Sequence, residues 1–187
     1  MAGEQTAPRA GSSDSIESLM SRYQQSDATA ASALVTALSP RIFQFYLSQV
    51  RDRFQAEDLL QEFWLRIHKA RHTYRPGEPV LPWLYAIARR TRVDHYRKSR
   101  RIRANEVQTE RLPDAPVAES AAKPLPAIAE LLSILPAAQR EVLLMLKVSG
   151  LSLEEVARAT GTSVGSVKQR AHRAYEKLRT TLGGDPR

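Results

Sequence analysis

Lys168, Gln169, His172 and Arg173 fall at i, i+1, i+4 and i+5, so a helix through them carries all four on one face. Their side chains offer the donors and acceptors that read base edges in a DNA groove. A second group is basic and lies far upstream. Arg89, Arg90, Arg92, Arg97, Lys98, Arg100, Arg101 and Arg103 crowd one strip in which Asp94 is the lone acid, and most of the formal charge of +8 is concentrated there. A strip of this kind attracts a polyanion, and the aromatics Trp83, Tyr85 and Tyr96 along it suit stacking on unpaired bases. A third group is acidic. Asp58, Gln61, Glu62 and Leu65 recur at i, i+3, i+4 and i+7, a patch that complements a basic helical partner or, on pattern alone, is simply solvated.

The elements that must hold these groups are helical. From Ser152 to His172 the apolar and polar residues alternate as a helix-turn-helix requires: Ala157 is small enough for two helices to cross closely, Gly161 supplies a left-handed turn, and Val167 plugs the angle. Ser163 is placed to cap the second helix. The motif alone does not separate repressors, activators and polymerase subunits. Ala56, Leu60, Phe63, Ile67 and Ala70 predict the buried stripe of a helix over 55–70, opposite the acidic patch. A further helix is expected to start near Leu81 or Pro82, with Leu84, Ile87, Ala88 and Thr91 inward. On it, Trp83 reads equally as core or as a base contact, while Tyr85 and Tyr96 read as half-buried aromatics. Between these two helices His72 to Val80 forms a loop of the shape that accepts an extruded base. His68 and His72 stand at i, i+4, but no third ligand accompanies them and basic residues surround them, which argues against a metal.

Earlier, Ile16, Leu19, Met20 and Tyr23, then Ala31, Leu34, Val35 and Leu38, predict two helices, with Pro40 expected to break or kink the second. Residues 1–13 read as a disordered N-terminus, 14–103 as one helical domain, 104–126 as a flexible, proline-rich and mildly acidic linker, and 127–183 as a second helical domain. The fold class is therefore all-α, two small domains each with a modest core. The 187 residues contain no cysteine, which excludes disulfides and thiolate metal sites. No signal peptide or membrane span is recognisable, so the expectation is a cytoplasmic protein without membrane insertion, cofactor or small-molecule substrate.

Asp58-Leu-Leu-Gln-Glu-Phe-Trp, Trp83-Leu-Tyr-Ala-Ile-Ala-Arg-Arg, Asp94-His-Tyr-Arg, Leu135-Pro-Ala-Ala-Gln-Arg-Glu and the helix-turn-helix, in that order, resemble a sigma factor of bacterial RNA polymerase, of the extracytoplasmic-function group. The resemblance covers residues 15 to 183. It implies regions 2 and 4 of that family, core RNA polymerase and promoter DNA as partners, an anti-sigma factor as a regulator, and no enzymatic activity of its own. By motif, Asp58, Gln61, Glu62 and Leu65 correspond to the polymerase contact. Tyr74, Trp83, Arg89, Arg90, Arg92, Arg97 and Lys98 correspond to the minus-ten contact; Ser163, Lys168, Gln169, His172 and Arg173 correspond to the minus-thirty-five contact. Two departures stand out: Arg90 replaces an asparagine common in the group, and Trp83 stands alone where primary sigma factors carry an adjacent pair. The rival readings are a stand-alone helix-turn-helix regulator and a nucleic-acid enzyme; the distance of the basic strip from the helix-turn-helix disfavours the first, and the lack of a carboxylate or histidine cluster the second.

Overall fold

The computed structural model describes residues 15–106 and 131–181. Every element among them is helical: α1 (Ile16–Gln24), α2 (Ala28–Val50), α3 (Arg53–Ala70), a 3-10 turn (Arg71–Thr73) and α4 (Val80–Glu106), then α5 (Ala137–Leu143), running into a π turn at Leu144–Val148, α6 (Leu153–Thr160) and α7 (Val164–Thr181). Residues 1–13, and the linker beyond 106, lie outside the described residues; 104–106 are the end of α4.

Side-chain caps start the first three helices. Ser15 accepts from the Ser18 amide, Asp27 from those of Thr29 and Ala30, and Asp52 from those of Phe54 and Gln55. Pro40 does not break α2. The helix runs through it because Leu34, Leu38, Ile42 and Phe45, on either side of the proline, are all buried on one face, and that burial outweighs one missing amide donor. In α3 the buried stripe is Ala56, Leu59, Phe63 and Ile67: Leu59 takes the place expected of Leu60, which is only partly covered, and Ala70 is likewise only partly covered. Phe45, Tyr46, Phe63 and Tyr85 meet edge to face at centroid separations of 5.4 to 6.4 Å and tie α2, α3 and α4 into one core. Tyr46 donates to the Ala88 carbonyl from inside that core, and burial pushes its hydroxyl pKa well up.

The C-terminal half builds the turn-containing pair. Ser152 and Glu155 form a reciprocal capping box on α6, and Gly161 ends α6 at φ +64°, a conformation that favours glycine. Val167 is fully buried between α6 and α7.

The two halves do not stand apart. Their buried residues form one continuous core, and α4 packs along α6 while α2 meets α5. Separate modest cores were expected; the halves instead share a seam because Tyr85, expected to be half-covered, is buried and bonds its hydroxyl to that of Ser149. Arg140, 5% exposed, donates to the carbonyls of Leu132 and Leu135 in its own half and of Ser48 at the end of α2. Its pKa is lowered by burial first and then by Arg51 and Arg92.

Candidate nucleic-acid and polymerase interfaces

The acidic face of α3 is open. Asp58, Gln61 and Leu65 are exposed, and Leu65 is an uncovered apolar side chain flanked by polar ones. One turn before Asp58, Phe54 is 66% exposed and extends the same face, which the polar spacing alone had left out. A large aromatic standing in water is the signal that identifies it. Glu62 is partly engaged: it pairs with Arg66 at 2.7 Å, and Arg66 reaches on to Asp94 of α4 at 2.6 Å. That guanidinium holds the Asp94 carboxyl below the usual carboxylate range. Trp64, at the flank of the face, is half-buried and donates its indole N–H to Ser39.

The basic strip on α4 is not uniformly free. Arg90, Arg97 and Lys98 are exposed, and the first two line a shallow surface pocket together with Arg89 and Asp94. Arg89 also reaches the other half of the molecule. Arg89 lies 2.9 Å from the carboxylate of Glu141, a residue 2% exposed, and donates to the Thr160 carbonyl at the end of α6. Arg92 is half-buried beside Gln49.

The loop ahead of α4 forms a cleft with Thr73, Trp83 and Ala86 among its walls. Tyr74 lines the same cleft but is 3% exposed; its hydroxyl donates to the Glu78 carbonyl, and its ring stands 5.7 Å from that of Trp83. Trp83 is half-buried, and Arg158 of α6 also lines the cleft and pairs with Glu78 at 3.2 Å. His68 bonds Tyr23 at 2.9 Å. No group of three potential metal ligands exists among the described residues.

The polar face of α7 is open. Lys168, Gln169, His172 and Arg173 are all exposed and make no hydrogen bond or ion pair among the described residues. Ser163 accepts from the Ser166 amide at 3.2 Å and fixes the start of the helix.

One chain thus carries a helix-turn-helix with four exposed polar side chains, a cationic helix and an open acidic helix face, the combination that a DNA-binding subunit of a larger assembly requires. Residues 34–102 match Sigma-70 region 2 and residues 125–178 match Sigma-70, region 4. The chain is 34% identical over 166 residues to the RNA polymerase sigma factor CarQ of Myxococcus xanthus, spanning 88% of this chain and 95% of that one. It is 32% identical over 179 residues to the ECF RNA polymerase sigma factor SigD of Mycobacterium tuberculosis, spanning 89% and 84%. The sigma factor RpoE of Bartonella quintana, solved in complex with the anti-sigma factor NepR, superposes with a TM-score of 0.62 at 25% identity, over 88% of this chain and 99% of that one. The chain belongs to the sigma-70 family of RNA polymerase, in the ECF group. It is an alternative sigma factor, a specificity subunit that directs promoter recognition and initiation and performs no catalysis itself.

Proposed function

We propose that each of the three faces has one task. Asp58, Gln61, Glu62 and Leu65, with Phe54 beside them, dock on a basic helical surface of core polymerase. Arg90, Arg97 and Lys98, joined by Arg89, Arg92 and Trp83 once these are uncovered, bind and help separate the minus-ten element; Tyr74 supports the loop from inside. Ser163 sets the α7 axis, and Lys168, Gln169, His172 and Arg173 read the minus-thirty-five element. The corresponding domains are 14–106, since α4 runs to Glu106, and 127–183, joined by 107–126. The observation that carries this reading is the unpaired, exposed state of all four recognition side chains on a helix capped and plugged by Ser163 and Val167.

An anti-sigma factor is proposed as a regulatory partner, because the Bartonella relative was solved with one. No helix among the described residues is long and apolar enough to cross a membrane, and a cytoplasmic site of action follows from binding polymerase and DNA. The test is run-off transcription with core polymerase over a promoter library. Replacing Lys168 and Arg173 by alanine is expected to alter base preference at the upstream element, with roughly 1–3 kcal/mol lost per bidentate contact. Unchanged selectivity would remove the assignment of α7. Asp58→Ala with Gln61→Ala should weaken core binding and leave the helical content intact.

A further inference from the structure

The cationic face of α4 contains one acid that promoter binding, as assigned so far, leaves without a role. Trp83, Ala86, Arg90, Asp94 and Arg97 recur at three to four residues, so one stripe of the helix carries them all, and the last four line the shallow surface pocket of the basic strip. Arginine is a donor only: it meets phosphates and the acceptor atoms of bases but has nothing to offer an amino group. Asp94, the lone acid of the strip, stands between Arg90 and Arg97 as an acceptor between two donors. A carboxylate facing a polyanion is costly, so its place there calls for a cause. The contact with Arg66 of α3 at 2.6 Å supplies part of one: it engages Oδ2 and keeps the carboxyl charged at neutral pH. Oδ1 makes no hydrogen bond among the described residues, and no ion pair joins Asp94 to Arg90 or Arg97. With the side chain 38% exposed and on the pocket wall, one acceptor remains for a ligand.

We infer that Asp94 is a base-reading residue for the minus-ten element, its free oxygen accepting from the exocyclic amino group of an adenine or cytosine and disfavouring a guanine or thymine at the same place. The inference rests on the sigma-factor reading and adds a specificity determinant to it. Adenine N6 and cytosine N4 are donors, whereas guanine O6 and thymine O4 are acceptors, and an acceptor set against a carboxylate leaves both oxygens unpaired. Because Arg66 occupies Oδ2, the contact is single, and it separates amino from keto bases without separating adenine from cytosine. Arg90 and Arg97, on either side, hold the flanking phosphates and offset the repulsion between the carboxylate and the strand. Arg66 is the positioning residue: it holds Asp94 from a neighbouring helix, and Glu62 at 2.7 Å in turn anchors Arg66.

Asp94→Asn gives the discriminating test, made with the full chain bound to core polymerase on templates varied one base at a time across the minus-ten element. An asparagine keeps its carbonyl on the Arg66 guanidinium, because arginine can only donate, and so turns its NH2 outward, a donor where the acceptor stood. The wild type should favour adenine or cytosine over guanine or thymine by roughly five- to tenfold at one position, read as transcript yield. Asp94→Asn should reverse that preference at the same position and leave the others as they were; Asp94→Ala should flatten it. Loss of the negative charge should also raise affinity for every template alike, a gain that cancels in the comparison between bases. A second measurement needs no variant: with the wild-type protein, unsubstituted purine, which is adenine without its amino group, should lose the advantage of adenine at that position. If Asp94 serves only to join α3 and α4, both substitutions change the yield equally on all templates. That result, a wild type indifferent to amino and keto bases at every position, or purine that performs as well as adenine, overturns the inference and leaves the sigma-factor reading intact. A chain that directs no initiation from any template with core polymerase overturns both.

Discussion

The cationic faces of α4 and α7 are built from similar residues but are held in opposite states. On α7 Lys168, Gln169, His172 and Arg173 are exposed, and much of what fixes the start of their helix lies within a few residues: the Ser163 cap, the Gly161 turn and the buried Val167. On α4 the state of each side chain depends on where the other half of the molecule sits. Arg90, Arg97 and Lys98 are free to act, while Arg89 is engaged by α5 and α6 and Arg92 is half-buried. Local construction therefore accounts for much of the α7 face, whereas the exposure of Arg89 on α4 depends on residues distant in sequence.

The largest blow to this contrast comes at Val167. Placing a carboxylate there by Val167→Asp buries an unpaired charge at a fully covered position between α6 and α7 and is expected to destabilise the C-terminal half by about 3 kcal/mol or more. Two-step thermal unfolding, with α1–α4 melting near their wild-type temperature, is the expected trace. Loss of both halves together would show that the seam, and not only the local plug, governs stability. A milder change isolates the cap. Ser163→Ala removes the acceptor for the Ser166 amide and should lower stability by about 1 kcal/mol, measured by urea titration. Upstream-element affinity should fall in step with it while α4-dependent binding stays constant.

Much of α7 could be read directly from the chain because its determinants are close in sequence. Gly161 adopts the left-handed turn its position called for, and Ser163 caps where its type and place required. The α3 face was legible for the same reason, apart from Phe54, whose role depends on exposure and not on polarity. The seam was not legible. Glu141 meets Arg89, Arg158 meets Glu78, and Tyr85 meets Ser149 across separations of more than fifty residues, and no periodicity records such pairings. One trace was present: Glu141 immediately precedes Val142, Leu143 and Leu144, which are buried, and a carboxylate leading an apolar run calls for a cationic partner. Nothing in the sequence said that the partner would be a residue expected on DNA. The Tyr74 assignment shows the complementary limit, since an aromatic beside a binding loop can serve it from the inside as readily as from the surface.

The finest distinction lies between two neighbours on α4. Arg90 is exposed in the free chain and Arg89 is held by Glu141 and Thr160, so alanine substitutions should separate them by salt dependence. In the free chain, Arg90→Ala should reduce the slope of log affinity against log salt for single-stranded DNA by about 0.7, the value for one phosphate contact on a single strand. Arg89→Ala should leave that slope unchanged or increase affinity slightly, because the lost cation was already neutralised and its loss loosens the seam. In the holoenzyme on a promoter, both substitutions should flatten the slope, each by about 0.9 if the contact is to duplex and somewhat less if it is to a separated strand. Between 50 and 200 mM salt that amounts to about a threefold difference in affinity per residue, well within reach of a fluorescence anisotropy titration. Equal slopes for the two variants in the free chain would mean that Arg89 is available despite its contacts with Glu141 and Thr160, and the contrast between the two cationic faces would be lost.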